Sequence, residues 1–327
     1  MDISAKLAEE LNIKKSQAEA TIKLIDEGNT IPFIARYRKE VTGALNDEIL
    51  RNLYERLTYL RNLEDKKQSV LGSIEEQGKL TEELKARIEA AETLVVLEDL
   101  YRPYKQKRKT RASVAKEKGL EPLAAYILEQ NAAAPLTETA QAYVDAEKGV
   151  ADAKEAIDGA KDIIAEQISD EADYRIYIRN LTFEEGKIVS TAKDEKEQSV
   201  YENYYAYEEP IKKVVGHRIL ALNRGEKEKM LIVKIEAPTD RILRYLEKQV
   251  ITADNPVTTP VLTEVIADAY TRLIAPAIER EIRNELTEKA EQKKKEGHMG
   301  LGLGNVRNTL EKYHGTMKTE ETKEEFQ

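Results

Sequence analysis

The chain has 327 residues, no cysteine and a net charge of −9, with 35% charged and 41% apolar residues. The missing cysteines exclude a disulfide framework and a thiolate metal site, and no uncharged apolar run reaches the roughly 18 residues that a membrane-spanning helix needs. The acidic, helix-like start at Met1–Glu10 is unlike a secretory signal, so a cytoplasmic location is expected. An acidic whole does not draw nucleic acid over its entire surface, so any such binding is expected to use a local basic patch or a part that is not here.

Helical periodicity dominates. Asn46 is placed to cap a helix with Asp47 and Glu48 in its first turn, where carboxylates complement the helix dipole. Ile49, Leu53, Leu57 and Leu60 then recur at helical spacing. Thr81 opens a second helix with Leu84, Ile88 and Val95 as its stripe. Asn131–Pro135 reads as a linker. Ala156, Ile157, Ala160, Ile163, Ile164 and Ile168 make a stripe with a small-residue edge for close packing. Thr259-Pro260 reads as an N-cap and first helical residue, followed by Leu262, Val265, Ile266, Ala269 and Leu273. Pro276 is expected to kink or break that helix before Ile278 and Ile282 resume its face.

Strand signals are few. Met230–Ile235 is the best, after the turn-like Asn223-Arg224-Gly225, with Arg218–Leu222 as its expected hairpin partner. Gln198–Pro210 gives mixed signals. The expected fold is mainly α: an elongated multi-helix bundle with at most a short β-hairpin near 218–235.

Three segments offer chemistry. In Thr30–Gly43, Arg36, Arg38 and Lys39 cannot share one helical face, so some should meet carboxylates and some solvent. Leu100–Arg111 is the densest basic run, with Tyr101 and Tyr104 beside it and Pro103 breaking any helix. Cations neutralise phosphates and rings stack on bases, so Lys105, Lys107, Arg108, Lys109 and Arg111 are the candidate nucleic-acid contacts. The opposing reading is a solvated loop or an intramolecular clamp. Five phosphate contacts would give a log-log salt slope of roughly −3.5 on single strands. In Tyr201–Glu209 the carboxylates repel phosphates, so the tyrosines should pack. His217, His298 and His314 have no metal-binding spacing, and neither a nucleophile elbow nor a Walker loop appears. No catalytic residue, metal or cofactor is expected. Gly300, Gly302 and Gly304 follow a lysine run rather than a strand, which does not support a dinucleotide fold.

Four stretches together resemble the N-terminal region of the bacterial Tex family of RNA-binding transcription accessory proteins. They are TIPFIARYRKEVTG at 30–43, LEDLYRPYKQKRKTRA at 97–112, AKDIIAEQISDEADYR at 160–175 and GHRILALNRGEKEKML at 216–231. The resemblance covers residues 1 to about 292. It implies helix-turn-helix-like parts, one long central helix, and a non-enzymatic scaffold for RNA or other nucleic acid near the transcription machinery. The family's RNase H-like, helix-hairpin-helix and OB-fold domains have no counterpart here, which implies weak binding by this chain alone. Residues 297–327, from Gly297-His298-Met299 through Leu310–Gly315, resemble instead the end of a sensor histidine-kinase ATPase domain. The expected division is therefore 1–292 and a partly disordered, non-homologous tail at 293–327, with a junction near Gln292. A helix at 305–313 would be marginal alone. The alternatives are a protein-interaction scaffold without nucleic-acid contact and, more remotely, an ATP-binding kinase fragment.

Overall fold

A computed structural model describes residues 2–292. The tail at 297–327, with its glycines, His298, His314 and the helix expected at 305–313, lies outside the described residues. The chain divides into two compact units, residues 1–108 with 170–172, and residues 109–169 with 173 onward.

The first unit is all helical: α1 (Ile3–Glu10), α2 (Lys15–Asp26), α3 (Ile31–Tyr37), α4 (Lys39–Thr42), α5 (Asp47–Glu76), α6 (Glu82–Ala90) and α7 (Leu94–Tyr101). α5 is its spine, 30 residues long, and Asn46 caps it by accepting from the Ile49 N–H at 2.8 Å. Its apolar stripe serves three clusters in turn. Leu50 packs with Leu24, Ile34 and Leu45. Leu53, Leu57 and Leu60 pack with Leu7, Ala8 and Ala18. Leu63, Val70, Leu71 and Ile74 pack with Ile88, Leu97 and Leu100. Thr81 caps α6 as expected, but Val95 belongs to α7 and is 41% exposed. The turn that Ala91 makes before α7 ends the α6 stripe at Ile88.

The second unit holds α8 (Arg111–Glu117), α9 (Glu121–Glu129), α10 (Leu136–Gln141), α11 (Ala153–Asp170), α12 (Ala172–Glu185), β1 (Lys187–Ala192), β2 (Ala206–Pro210), α13 (Gly216–Lys227), β3 (Leu231–Glu236), α14 (Thr239–Val250), α15 (Thr258–Asp268) and a last helix, α16, over 275–292. The linker expected at 131–135 is coil. The Gln130 side chain pins it, donating to the Val250 carbonyl and accepting from the Thr252 and Ala253 N–H groups. The α11 stripe is buried as its spacing predicts, with Ala156, Ala160, Ile163 and Ile164 each at 0% exposure.

The fold is mainly α, as expected, but the strand pairing differs. β1 lies between β2 and β3, antiparallel to both. Ser190 pairs with Tyr207 on one side and Val233 on the other. Arg218–Leu222 is not a strand and Asn223-Arg224-Gly225 is not a turn: both lie inside α13. Leu220, Ala221 and Leu222 are good helix formers, and Ile219 and Leu222 bury one face three residues apart. β3 finds its partner in β1 instead.

At the C-terminal end α15 begins one residue before Thr259. Asn255 does the capping, accepting from the Val257 and Thr258 N–H groups, while Thr259 accepts from the Asn255 N–H. Pro276 does not break the helix. A π-helical turn at Ala269–Ile274 precedes it. Proline has no N–H to give the carbonyl four residues back and clashes with it, and the wider turn removes that demand. Ile278 and Ile282 therefore stay buried on the same face.

Candidate nucleic-acid interface

Pro103 ends α7, and residues 102–104 form a single 3-10 turn before the basic loop. Of the five predicted contacts, two are engaged by carboxylates of the first unit. Lys105 is ion-paired with Glu98, and Lys107 with Asp170, whose other oxygen accepts from Arg102 Nε at 3.0 Å. Asp170 is buried, so it is a strong anchor for both cations. Arg108 and Lys109 are exposed and form no ion pair among the described residues. The boundary between the two units falls between them.

Arg111 has a different setting. Thr110 and Ser113 make a capping box at the start of α8, each side chain accepting from the other's backbone N–H. That fixes Arg111 as the first helical residue, where it lines a cleft of about 270 Å³ with Lys118, Glu155, Asp158 and Asp162. Burial pushes the Asp162 carboxyl above its ordinary pKa, and the charges of Arg272 and Arg111 oppose that push. Arg111 is itself exposed and forms no ion pair among the described residues, and its charge acts on Asp162 and Asp268 of its own unit.

The other two segments are structural. In Thr30–Gly43 the helix breaks at Arg38, whose guanidinium sits over the Phe33 ring at 5.1 Å. Gln17 closes the segment by donating to the Thr42 and Gly43 carbonyls. In Tyr201–Glu209 the rings pack: Tyr201 is 5% exposed, and Tyr204 meets Tyr207 edge-on at 5.2 Å. The Tyr207 hydroxyl donates to Glu209, which Arg218 holds at 2.7 Å.

Sequence reasoning missed a groove of about 1070 Å³ in the second unit. Phe183, Ile211, Val214, Leu220 and Leu286 contribute apolar surface, Lys213 and Arg224 add cations, and Lys212 and Lys289 line it while ion-paired with Glu184 and Glu285. These residues come from α12, α13, α16 and the turn before α13. Their charges are spread over 212–289, so no linear run marks them. Among the described residues there is no group of three or more side chains suited to a metal ion, and no helix long and apolar enough to cross a membrane.

A sequence pattern for the Tex central region matches residues 131–294, and one for the Tex-like protein N-terminal domain matches residues 1–75. The chain belongs to the Tex family. It is 53% identical over 293 residues to the uncharacterised protein YdcI of Bacillus subtilis, an alignment covering 89% of this chain and 41% of that protein. It is 43% identical over 242 residues to the transcriptional accessory protein Tex of Neisseria gonorrhoeae, covering 73% of this chain and 32% of that relative. A human protein named S1 RNA-binding domain-containing protein 1 is 31% identical over 306 residues, covering 89% of this chain and 30% of its own length. The chain thus spans well under half the length of each of these relatives. The basic loop at 105–111 falls between the two matched regions, whereas the groove falls inside the second.

Proposed function

We propose that this Tex-family chain is a non-catalytic helical platform that makes weak, salt-sensitive contacts with nucleic acid and works beside the transcription machinery. The names of the gonococcal and human relatives support the setting. The observation that carries the contact is the pair Arg108 and Lys109, exposed and without a carboxylate partner among the described residues. Each phosphate neutralised on a single strand contributes roughly 0.7 to the log-log salt slope, so this pair accounts for about −1.4. The test is fluorescence anisotropy of a labelled oligouridylate with the full chain at two salt concentrations. Arg108→Ala with Lys109→Ala should weaken binding at low salt and flatten the slope by about 1.4. Binding and slope unchanged in that double variant would overturn the loop as the contact.

A second reading, a protein-interaction scaffold, is favoured by the groove beside α13. Its apolar floor and cationic edges suit an acidic amphipathic helix. It predicts that transcription proteins stay on the immobilised chain after nuclease treatment and are lost with Leu220→Asp.

A further inference from the structure

Helix α14 has two sharply different faces. Ile242, Leu246 and Val250 are buried at four-residue spacing. Arg241, Arg244, Tyr245 and Lys248 recur at the i, i+3, i+4, i+7 spacing that puts side chains on one face. Glu185 holds Arg241. Arg244 and Lys248 are exposed and form no ion pair among the described residues.

Beside this stripe lies a stacked pair of rings. Tyr177, from α12, stacks on Tyr245 with centroids 3.7 Å apart and planes 17° apart. Tyr174 meets Tyr245 edge-on at 6.1 Å and 89°, which braces the lower ring. Tyr177 is still 37% exposed. Tyr245 covers one face of this ring, so the opposite face is the one left for a ligand to stack on. Tyrosine ordinarily buries its ring and wets only its hydroxyl. Here a braced, partly exposed tyrosine stands next to two cations that form no ion pair among the described residues, in a chain of net charge −9. Aromatic platforms flanked by cations are what single strands use: the cations take phosphates, and any base supplies a π-face. A duplex keeps its bases stacked on one another and cannot offer one to the ring. An acidic peptide would satisfy the cations but leave the ring unused.

We propose that the outer face of α14 with Tyr177 is a second contact for single-stranded nucleic acid, with phosphates on Arg244 and Lys248 and one base stacked on Tyr177. It rests on the nucleic-acid reading above but not on the 105–111 loop. No group here singles out a base or a 2′-hydroxyl, so RNA and DNA single strands should bind alike.

The test uses the full chain with labelled oligouridylate and oligothymidylate. Base–aromatic stacking corresponds to roughly a 5- to 150-fold change in affinity. Tyr177→Ala should therefore weaken binding at least about fivefold, and Tyr177→Phe should retain it within about twofold. Arg244→Ala with Lys248→Ala should flatten the salt slope by about 1.4, independently of the loop variant. Neither of those two cations supports the core, so the double variant decides the matter even if Tyr177→Ala lowers the melting temperature. Affinity and slope unchanged in the Arg244/Lys248 double variant, with loss confined to the Arg108/Lys109 variant, would overturn this site and leave the wider reading standing. Loss at α14 with none at the loop would uphold this site and remove the loop. No binding of either oligonucleotide by the unaltered chain at low salt would overturn both.

Discussion

The same substitution should have opposite effects at two helical glycines. Gly72 lies inside α5, and a Cβ added there meets nothing within 4 Å. Gly72→Ala should therefore collect the full helix-propensity gain, about 0.8–1.0 kcal/mol. Gly225 lies in the last turn of α13 and is buried. There the new Cβ would sit 2.5 Å from Leu231 Cδ1, 2.9 Å from Leu231 Cγ and 3.1 Å from Tyr201 Cδ1. Leu231 is 3% exposed and paired with Ala192 at the start of β3, and Tyr201 is 5% exposed, so neither side chain has solvent to move into. Overpacking of this kind costs about 1–3 kcal/mol, and the propensity gain near a helix end is at most about 0.5–1. Gly225→Ala should then destabilise by about 1–2 kcal/mol, leaving roughly 2–3 kcal/mol between the two variants. Urea unfolding followed by circular dichroism gives the totals. Hydrogen exchange in peptides from α5 and α13 assigns each change to its own unit. A Gly225→Ala protein as stable as its parent would refute the close helix–strand approach on which the estimate rests.

Further outcomes follow from named contacts. Glu98→Gln should free Lys105 and steepen the oligonucleotide salt slope by up to about 0.7, whereas an unchanged slope would mean that this lysine never reaches phosphate. Glu281 is shared by Arg175, at 0% exposure and 2.7 Å, and Arg179, also at 2.7 Å. Glu281→Ala leaves a buried guanidinium without that carboxylate and should cost about 3 kcal/mol in chemical unfolding; a loss under about 1 would show that the pair is not decisive. Tyr207 has its phenol pKa pushed up to about 12, chiefly by burial and then by its bond to Glu209. Its folded value exceeds the unfolded value of about 10, so its stabilising contribution is whole below pH 10 and is lost as pH rises towards 12. In phenolate absorbance titrations Tyr207→Phe should remove a late step, and a chain losing no late-titrating phenol would contradict the burial.

Local rules were legible where one helix decides its own face. The Asn46 and Thr81 caps and the α11 stripe needed only spacing and cap chemistry, and all are present. Legibility failed wherever the deciding partner was distant in sequence. β2 is Ala-Tyr-Glu-Glu-Pro, poor in strand formers, and it is a strand because β1 pairs with it. Gly225 looked like a turn residue, but it is a helix residue kept small by Leu231. Pro276 looked like a break, but the π-helical turn before it absorbs the conflict. The kinship to Tex proteins was legible in four long segments, because ordered matches accumulate where single motifs do not.

The candidate site shows the same limit in electrostatic form. A run of cations counted along the chain assumes that each is free for phosphate. This chain carries 61 acidic against 52 basic residues, so carboxylates outnumber the cations that could pair with them. Lys107 reaches an aspartate 63 residues away, and Arg111 faces acidic groups of α11, which no reading of 105–111 alone could anticipate. The cations left over are set by where the fold keeps carboxylates away. Arg108 and Lys109 form no ion pair among the described residues, and neither do Arg244 and Lys248 on α14, where no basic run exists in the sequence. Contacts with phosphate in such an acidic protein are therefore a property of the packed surface, and a variant that moves a carboxylate should change binding as much as one that removes a lysine.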